Sequence, residues 1–528
     1  MGGVPLLRRL EQPVSARSAS ATGAASVVGF LVVLEFASGV LQAWLPPLLP
    51  SVLRQYGTSA AELNWINVVF LLSTAVCVPL MATLGDRYGH RRLLVVASSL
   101  VASGSVVVAV APTFEILLLG RAVQGPLGAF LPLVFAIIRE RAGERTGRAI
   151  GLVIGAVAVG GGLGFLLAGT AREHLSLSLT LWIPAAVMIC AVPVVVLLVP
   201  ETTARTTGRI DWAGAALLSA GLVLFLAAVG NGSTWGWTDG RTVAGIVGGV
   251  ALLAAWVVVE GRVAHPLLDL SLVFGGTLTL PILAGFFYGA ELYGSQVAVA
   301  LFLGLPISTG FGLGLSSGQL GLVLFVFAAS AFAGTVLAPR VAERFGSSIA
   351  LLTGALLAAT GYLLTVAAHG SAGVFVLWQV VIGLGNGVVL ATLSTQVVTR
   401  APADSVAISS GLFTTARTVG GALSGAAFAA VMAALTTSAP GAGKPVTSEA
   451  GYVTVWVVCA ALALTVAGLA LRQHQARPPT AGPQGGGPAT GRAPAAGPPG
   501  GGPATGLAPA EARRRARPLS PSRRSGAG

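Results

Sequence analysis

Ala82-Thr83-Leu84-Gly85-Asp86-Arg87-Tyr88-Gly89-His90-Arg91-Arg92 is a short charged stretch set between two long apolar runs. A similar one, Glu343-Arg344-Phe345-Gly346, stands 257 residues further on, again between apolar runs. Other pairs fall near the same offset. Glu35 corresponds to Glu291 at 256, Arg121-x-x-x-Gly125 to Gln379-x-x-x-Gly383 at 258, and Gly164-x-x-x-Ala168 to Gly421-x-x-x-Gly425 at 257. Four correspondences near one offset point to two homologous halves separated by an inserted segment, with a site between them.

The runs around these motifs set the class of the chain. Of 528 residues, 54% are hydrophobic and 9% charged, against roughly 25% charged in soluble domains. A membrane-spanning helix uses about 20 apolar residues, so the apolar content fills about fourteen. A soluble enzyme, a coiled coil and a disulfide scaffold are excluded, and an all-α polytopic membrane protein remains. The runs place helices at about 25–47, 63–85, 93–111, 114–138, 149–170, 177–199, 212–230, 243–259, 277–303, 319–338, 349–368, 373–398, 406–434 and 451–471.

These spans divide the chain into a cytoplasmic N-terminus (1–24), a six-helix half (25–199), a central helix pair with its flanking loops (200–271), a second six-helix half (272–471) and a Pro/Gly/Arg-rich tail (472–528) expected to be disordered. Sixteen lysines and arginines lie in the N-terminus and alternate loops, against Arg54, Arg172, Arg241 and Lys444 on the other side. That bias places both termini in the cytoplasm of a cell membrane. The net charge of +13 is thus a topology signal and gives no reason to expect nucleic acid. Cys77, Cys190 and Cys459 lie far apart without a CxxC pair, which suggests neither disulfide nor metal.

The stretch at 82–92 resembles the loop motif GxLaDRxGRR of the major facilitator superfamily. Arg121-Ala122-Val123-Gln124-Gly125-Pro126-Leu127-Gly128-Ala129 resembles that superfamily's helix 4 motif, RxxQGxGaA. Ile210–Gly214, Trp235-Gly236-Trp237 and His265-Pro266-Leu267-Leu268 look like the central segment of its fourteen-helix drug:proton antiporter family. The resemblance spans residues 25–471 and implies the major facilitator fold, with two central extra helices between the halves. It also links Arg121 to proton coupling. Two departures weaken antiport in particular. The helix 5 motif GxxxGPxxGG reads Gly160-Gly161-Gly162-Leu163-Gly164-Phe165-Leu166-Leu167-Ala168-Gly169, without its proline, and Leu34-Glu35 is all that remains of the helix 1 motif.

Charged groups inside a bilayer cost about 2.5–3.5 kcal/mol each to insert and are functional candidates by default. Glu35, Arg121 and Glu291 are the expected proton-coupling residues, with the paired strut as the plain alternative. Arg417, also within a span, is expected to be structural, held by backbone carbonyls. Asp86, Arg87, Gly89 and Arg91, and Glu343 and Arg344 in the second half, are expected to latch the cytoplasmic gate. Gln42, Trp44, Asn67, Gln124, Tyr288, Tyr293, Gln296 and Asn386 supply a candidate substrate cavity of mixed polarity. The histidines are expected in loops or the tail. The chain has no GxxxxGK[ST] motif and one lysine, Lys444, so enzymatic ATP hydrolysis is not expected. The expectation is a secondary transporter, exporting drug-like or natural-product small molecules as a monomer, with the proton gradient in place of a cofactor. Uptake or facilitated diffusion of a metabolite, and a non-transporting sensor, are the alternatives. The topology predicts that cysteines introduced near Lys444 and Arg241 react with an impermeant thiol reagent in intact cells, whereas one near Arg145 does not. The reverse labelling pattern would contradict it.

Overall fold

An apolar run of this length crosses a hydrocarbon layer as a helix because only a helix satisfies its own backbone there. The computed structural model describes residues 14–141, 146–202, 211–263, 276–401, 406–438 and 445–475. Among them, fourteen helices have the length and composition of membrane spans. They are α1 (Ser26–Tyr56), α2 (Trp65–Tyr88), α3 (His90–Val110), α4 (Phe114–Arg141), α5 (Ala149–His174), α6 (Leu177–Leu198) and α7 (Trp212–Gly232), followed by α8 (Gly240–Glu260), α9 (Thr279–Gly304), α10 (Ser317–Phe345), α11 (Ser347–Ala367), α12 (Ala372–Arg400), α13 (Ser409–Ala434) and α14 (Glu449–Gln475). The helix count matches the sequence reading, while several ends move. The helix carrying α1 starts at Val14 rather than near 25, and α14 takes in Arg472–Gln475 from the expected tail. The remainder of that tail, residues 1–13, Arg145, His265–Leu268 and Lys444 lie outside the described residues.

Proline shapes two of the helices, since it has no N–H to donate to the ladder. Past Trp44, α1 turns through a 3-10 segment at Pro46–Leu48 into Leu49–Tyr56. In α4 a 3-10 segment containing Pro126, Gly125–Ala129, separates Phe114–Val123 from Phe130–Arg141. A two-residue antiparallel pair, β1 (Thr436–Thr437) with β2 (Val446–Thr447), lies between α13 and α14.

Lipid and helix surfaces are equally apolar, so helices in a bilayer associate by close packing, which small residues permit. Two helix pairs use this device in the same way. In the first half, Gly39 on α1 lies against the Val157 carbonyl oxygen of α5, and Gly160 on α5 against the Phe36 carbonyl oxygen of α1. In the second, Gly289 on α9 lies against the Arg417 carbonyl oxygen of α13, and Gly420 on α13 against the Phe286 carbonyl oxygen of α9. A Cβ at any of these glycines would overlap the opposing oxygen.

The matched contacts define the internal repeat, and they correct its register. Helices α1 and α9 correspond at an offset of 250, and α5 and α13 at 260. The 257–258 spacing holds for α2 with α10 and α4 with α12, where Gly125 packs on Ser73 as Gly383 packs on Ser330. Glu35 is therefore equivalent to Gly285, and Glu291 to Leu41, so the two acids are not a symmetric pair. Gly164 likewise matches Ser424 rather than Gly421.

The halves α1–α6 and α9–α14 meet along two seams, α5 with α10 and α2 with α13, while α7 and α8 pack on each other and α7 leans on α13 and α2. Both seams are tight at one end. Gly169 lies on the Ser317 carbonyl, Gly321 on the Phe165 carbonyl, and Gly425 on Asn64 and Val68. This sealed end is opposite to the basic end, where α2 meets α3 and α10 meets α11. Toward the basic end, α5 and α10 part and leave a crevice of about 730 Å³ whose lining includes Val32, Val33 and Phe36 of α1, Gly155 and Val159 of α5, and Phe332 of α10. Replacing Gly420 by alanine is expected to push α9 and α13 apart and lower the thermal midpoint of the purified protein by several degrees. Gly411→Ala, at a position where a Cβ meets nothing within 4 Å, is the control expected to leave it unchanged.

Candidate functional site

The intramembrane charges decide where chemistry can occur. Glu35 is 1% exposed, and its Oε2 accepts a 2.8 Å hydrogen bond from Ser38 Oγ while Oε1 has no partner. Glu291 is 2% exposed and accepts a 3.1 Å bond from Asn386 Nδ2, which also donates to the Ile382 carbonyl. Arg121 donates to Gln124 Oε1 at 2.6 Å and to the Ile66 carbonyl at 3.4 Å, and its guanidinium lies 4.2 Å from the centre of the Phe70 ring. Gln124 in turn donates to Ser105 at 2.9 Å.

The alternative reading, a strut in which these acids pair with Arg121 or Arg417, does not match the contacts among the described residues. Ion pairs form elsewhere, including Asp86–His90, Arg92–Glu201 and His369–Glu449. Both buried acids are held by neutral donors, so a proton can join or leave either one without breaking an ion pair. Arg121 is oriented by an amide relay and an aromatic face rather than by a carboxylate.

The eight residues named for a cavity separate into distinct environments. Asn67 of α2 donates to Gln296 of α9 at 3.3 Å and so bridges the halves. Tyr293 packs at the seam on the cluster Leu71, Leu226 and Ala422. Four others are turned into their own half: Trp44 donates to the Thr180 carbonyl at 2.9 Å, Gln124 orients Arg121, Asn386 binds Glu291, and Tyr288 packs with Leu351 and Phe413. Gln42 is exposed and reaches only the Ser38 carbonyl of its own helix. The crevice is lined instead by glycines and by Val, Leu, Ala and Phe side chains that polarity-based reasoning passes over.

The motif at 82–92 is a joint between helices rather than a loop. Asp86 and Arg87 close α2, Gly89 is the single linking residue at φ 107°, and His90 to Arg92 open α3. At this φ only glycine is unstrained, and a Cβ here would also stand 2.5 Å from Glu201 Oε1. The motif engages its own half instead of the other half's helices. His90, expected in a loop, is buried between Asp86 at 3.0 Å and Thr202 at 3.2 Å. Glu201 accepts from the Arg91 backbone N–H and pairs with Arg92 at 3.5 Å, while the Arg91 guanidinium donates to the Val196 carbonyl. Arg87 stacks on Tyr88, and Arg344 on Phe345, next to the exposed Glu343. Glu201, not singled out from the sequence, is the residue that organises this joint.

A second missed residue secures the sealed end. Glu173 of α5 accepts from Ser316 Oγ at 2.6 Å and from the Gly318 backbone N–H at 3.1 Å, at the N-terminus of α10. A carboxylate is favoured at such a terminus by the free amides and the helix dipole, and this one comes from the opposite half.

The sequence profile of the Major Facilitator Superfamily matches residues 31–425 and 313–519. The chain belongs to the major facilitator superfamily. It is similar to the tetracenomycin C resistance and export protein of Streptomyces glaucescens, 26% identical over 73% of this chain and 71% of that one. It is also similar to the multidrug efflux pump LfrA of Mycolicibacterium smegmatis, 29% identical over 70% and 73%. The fold is shared with an auto-inhibited peptide transporter of the POT family, at a TM-score of 0.61 and 18% identity, over 86% of this chain and 99% of that one. As a superfamily member the protein is a membrane transporter of small molecules, not an enzyme. Its sealed end must open during transport, so cysteines replacing Glu173 and Gly318 are expected to form a disulfide on oxidation that arrests transport, with activity restored by reduction.

Proposed function

We propose that this transporter is a proton-coupled exporter of drug-like or natural-product molecules. It works by alternating access as a monomer in the cytoplasmic membrane, with its termini and basic end in the cytoplasm. The proton gradient is its energy source, and no cofactor takes part. The observation that carries the reading is the pair of carboxylates, Glu35 and Glu291, buried on α1 and α9 and held by neutral donors. A charge so placed is expensive in a bilayer, and a mobile proton gives each acid a use. Export of drug-like cargo is supported by the similarity to the tetracenomycin C export protein and to the efflux pump LfrA. Opening of the crevice toward the basic end supports loading from the cytoplasm.

One observation favours uptake or facilitated diffusion instead, namely that α5 runs unbroken with Phe165 where the antiporter motif has proline. Ethidium accumulation in inverted vesicles with an imposed pH gradient separates the readings. Glu35→Gln is expected to abolish gradient-driven accumulation yet leave dye binding to the purified protein within about twofold, because the amide matches the protonated acid in size and polarity. Loss of pumping in Glu291→Gln alone would move the proton site to α9. Wild-type accumulation that ignored the gradient would overturn proton coupling.

A further inference from the structure

Arg417 is the intramembrane charge that the proton-coupling reading leaves without a role. It lies on α13, roughly 12 Å along the helix from Ser409 at 1.5 Å per residue. The expected backbone carbonyl partners are absent. Among the described residues its guanidinium makes no hydrogen bond or ion pair, and its buried Nε has no partner. The guanidinium faces two aromatic rings, Tyr293 at 5.7 Å and Phe413 at 5.8 Å from ring centre to Cζ. Aromatic faces attract a cation but accept none of its five N–H groups in the plane of the fork.

The side chain is nonetheless held in place. Gly289 leaves the space that the Arg417 Cγ occupies, so the stem runs across α9 before the head reaches Tyr293, one turn further along the same helix. The equivalent position in the first half, defined by the Gly39–Val157 and Gly289–Arg417 contacts, is Val157. The fold itself therefore does not require a cation here. The location is also specific. Gly421, one turn beyond Arg417, touches both Tyr293 and Leu71 of α2, so the guanidinium lies just on the basic-end side of the α2–α13 seal. Phe70, under Arg121, and Tyr293, beside Arg417, pack on the same cluster of Leu71, Leu226 and Ala422. Each half thus brings one guanidinium to this cluster. Arg121 is satisfied by Gln124 and the Ile66 carbonyl, and Arg417 alone has its donors open.

We infer that Arg417 is a binding residue for the anionic oxygen of an aromatic molecule, with Tyr293 supplying a face for its ring. The planar fork suits a carboxylate, a sulfonate or an ionised phenol. The same chemistry belongs to a phospholipid headgroup, and the cargo is the source assigned here. That assignment rests on the transporter reading, though not on proton coupling.

The test uses two dyes of one shape, the anionic 8-anilinonaphthalene-1-sulfonate and its uncharged parent N-phenyl-1-naphthylamine. Both are titrated by equilibrium dialysis onto the full-length protein in phosphatidylcholine nanodiscs, with empty nanodiscs subtracted. Arg417→Gln is expected to weaken the anionic dye about tenfold while the uncharged dye stays within twofold, which also reports that the variant is folded. Tyr293→Leu is expected to weaken both dyes. Equal loss of both dyes in Arg417→Gln, or loss of neither, overturns the inference. So does abolition of the Arg417-dependent difference by phosphatidylglycerol in the disc, which would assign the site to a headgroup. Because the readout is binding without a pH gradient, its failure is distinct from a failure of proton-driven export.

Discussion

Backbone set directly against backbone is the constraint on which this transporter rests. Where α1 crosses α5 and α9 crosses α13, a glycine on each helix faces a carbonyl oxygen of the other, and no side chain fits between them. Contacts this close make each half a rigid body, which is what a rocking transporter needs, since only the surface between the halves then has to change. The seams follow from it. Gly169 and Gly321 bring α5 and α10 together at the sealed end with the same device, and Glu173 adds a carboxylate that reaches across to the amides of α10. At the basic end, the joint at Gly89 stays within its own half, tied through Glu201 and Thr202. The seal at one end, made by these glycines and by Glu173, holds the molecule in one access state.

The buried polar groups complement that frame. Every polar contact of Glu35, Glu291 and Arg121 among the described residues lies within one half. They can therefore travel with their half as it moves. Asn67 with Gln296, and Tyr293 on the Leu71 cluster, lie instead across the boundary, where a conformational change has to remake contacts.

Much of the fold was legible in the sequence because a bilayer imposes a simple rule on length and composition, and the number of helices follows from that rule. The motif at 82–92 was legible because charge between two apolar runs has few places to go. The repeat was visible, but its register on α1 and α9 was not. The aligned Glu35 and Glu291 suggested 256, whereas Gly39 and Gly289, ordinary glycines in a chain containing 72 of them, set 250 through contacts with other helices. Trp44, Gln124, Tyr288 and Asn386, candidates for a cavity by polarity, make their contacts within one half for a related reason, and of these Trp44 and Gln124 line a small void beside Arg121. In a soluble protein the polar face of a helix marks the outside, but here lipid, core and crevice are all apolar, so spacing does not reveal which way a residue turns. Glu173 at the end of α5 and Glu201 in the loop after α6 carry no signal in the sequence, because acids are common at such places and their significance lies in partners distant in the chain.

The shift in register has an electrical consequence. Glu291 stands six positions beyond the residue that matches Glu35, Gly285, which displaces it about 9 Å toward the sealed end. In a hydrocarbon layer about 30 Å thick, that is close to a third of the transmembrane field. A unit charge on one of these residues therefore differs from a unit charge on the other by about 0.7 kcal/mol for every 100 mV across the membrane. Two acids at matched depth would feel the same voltage. These two do not, and the resting potential of the cell discriminates between them.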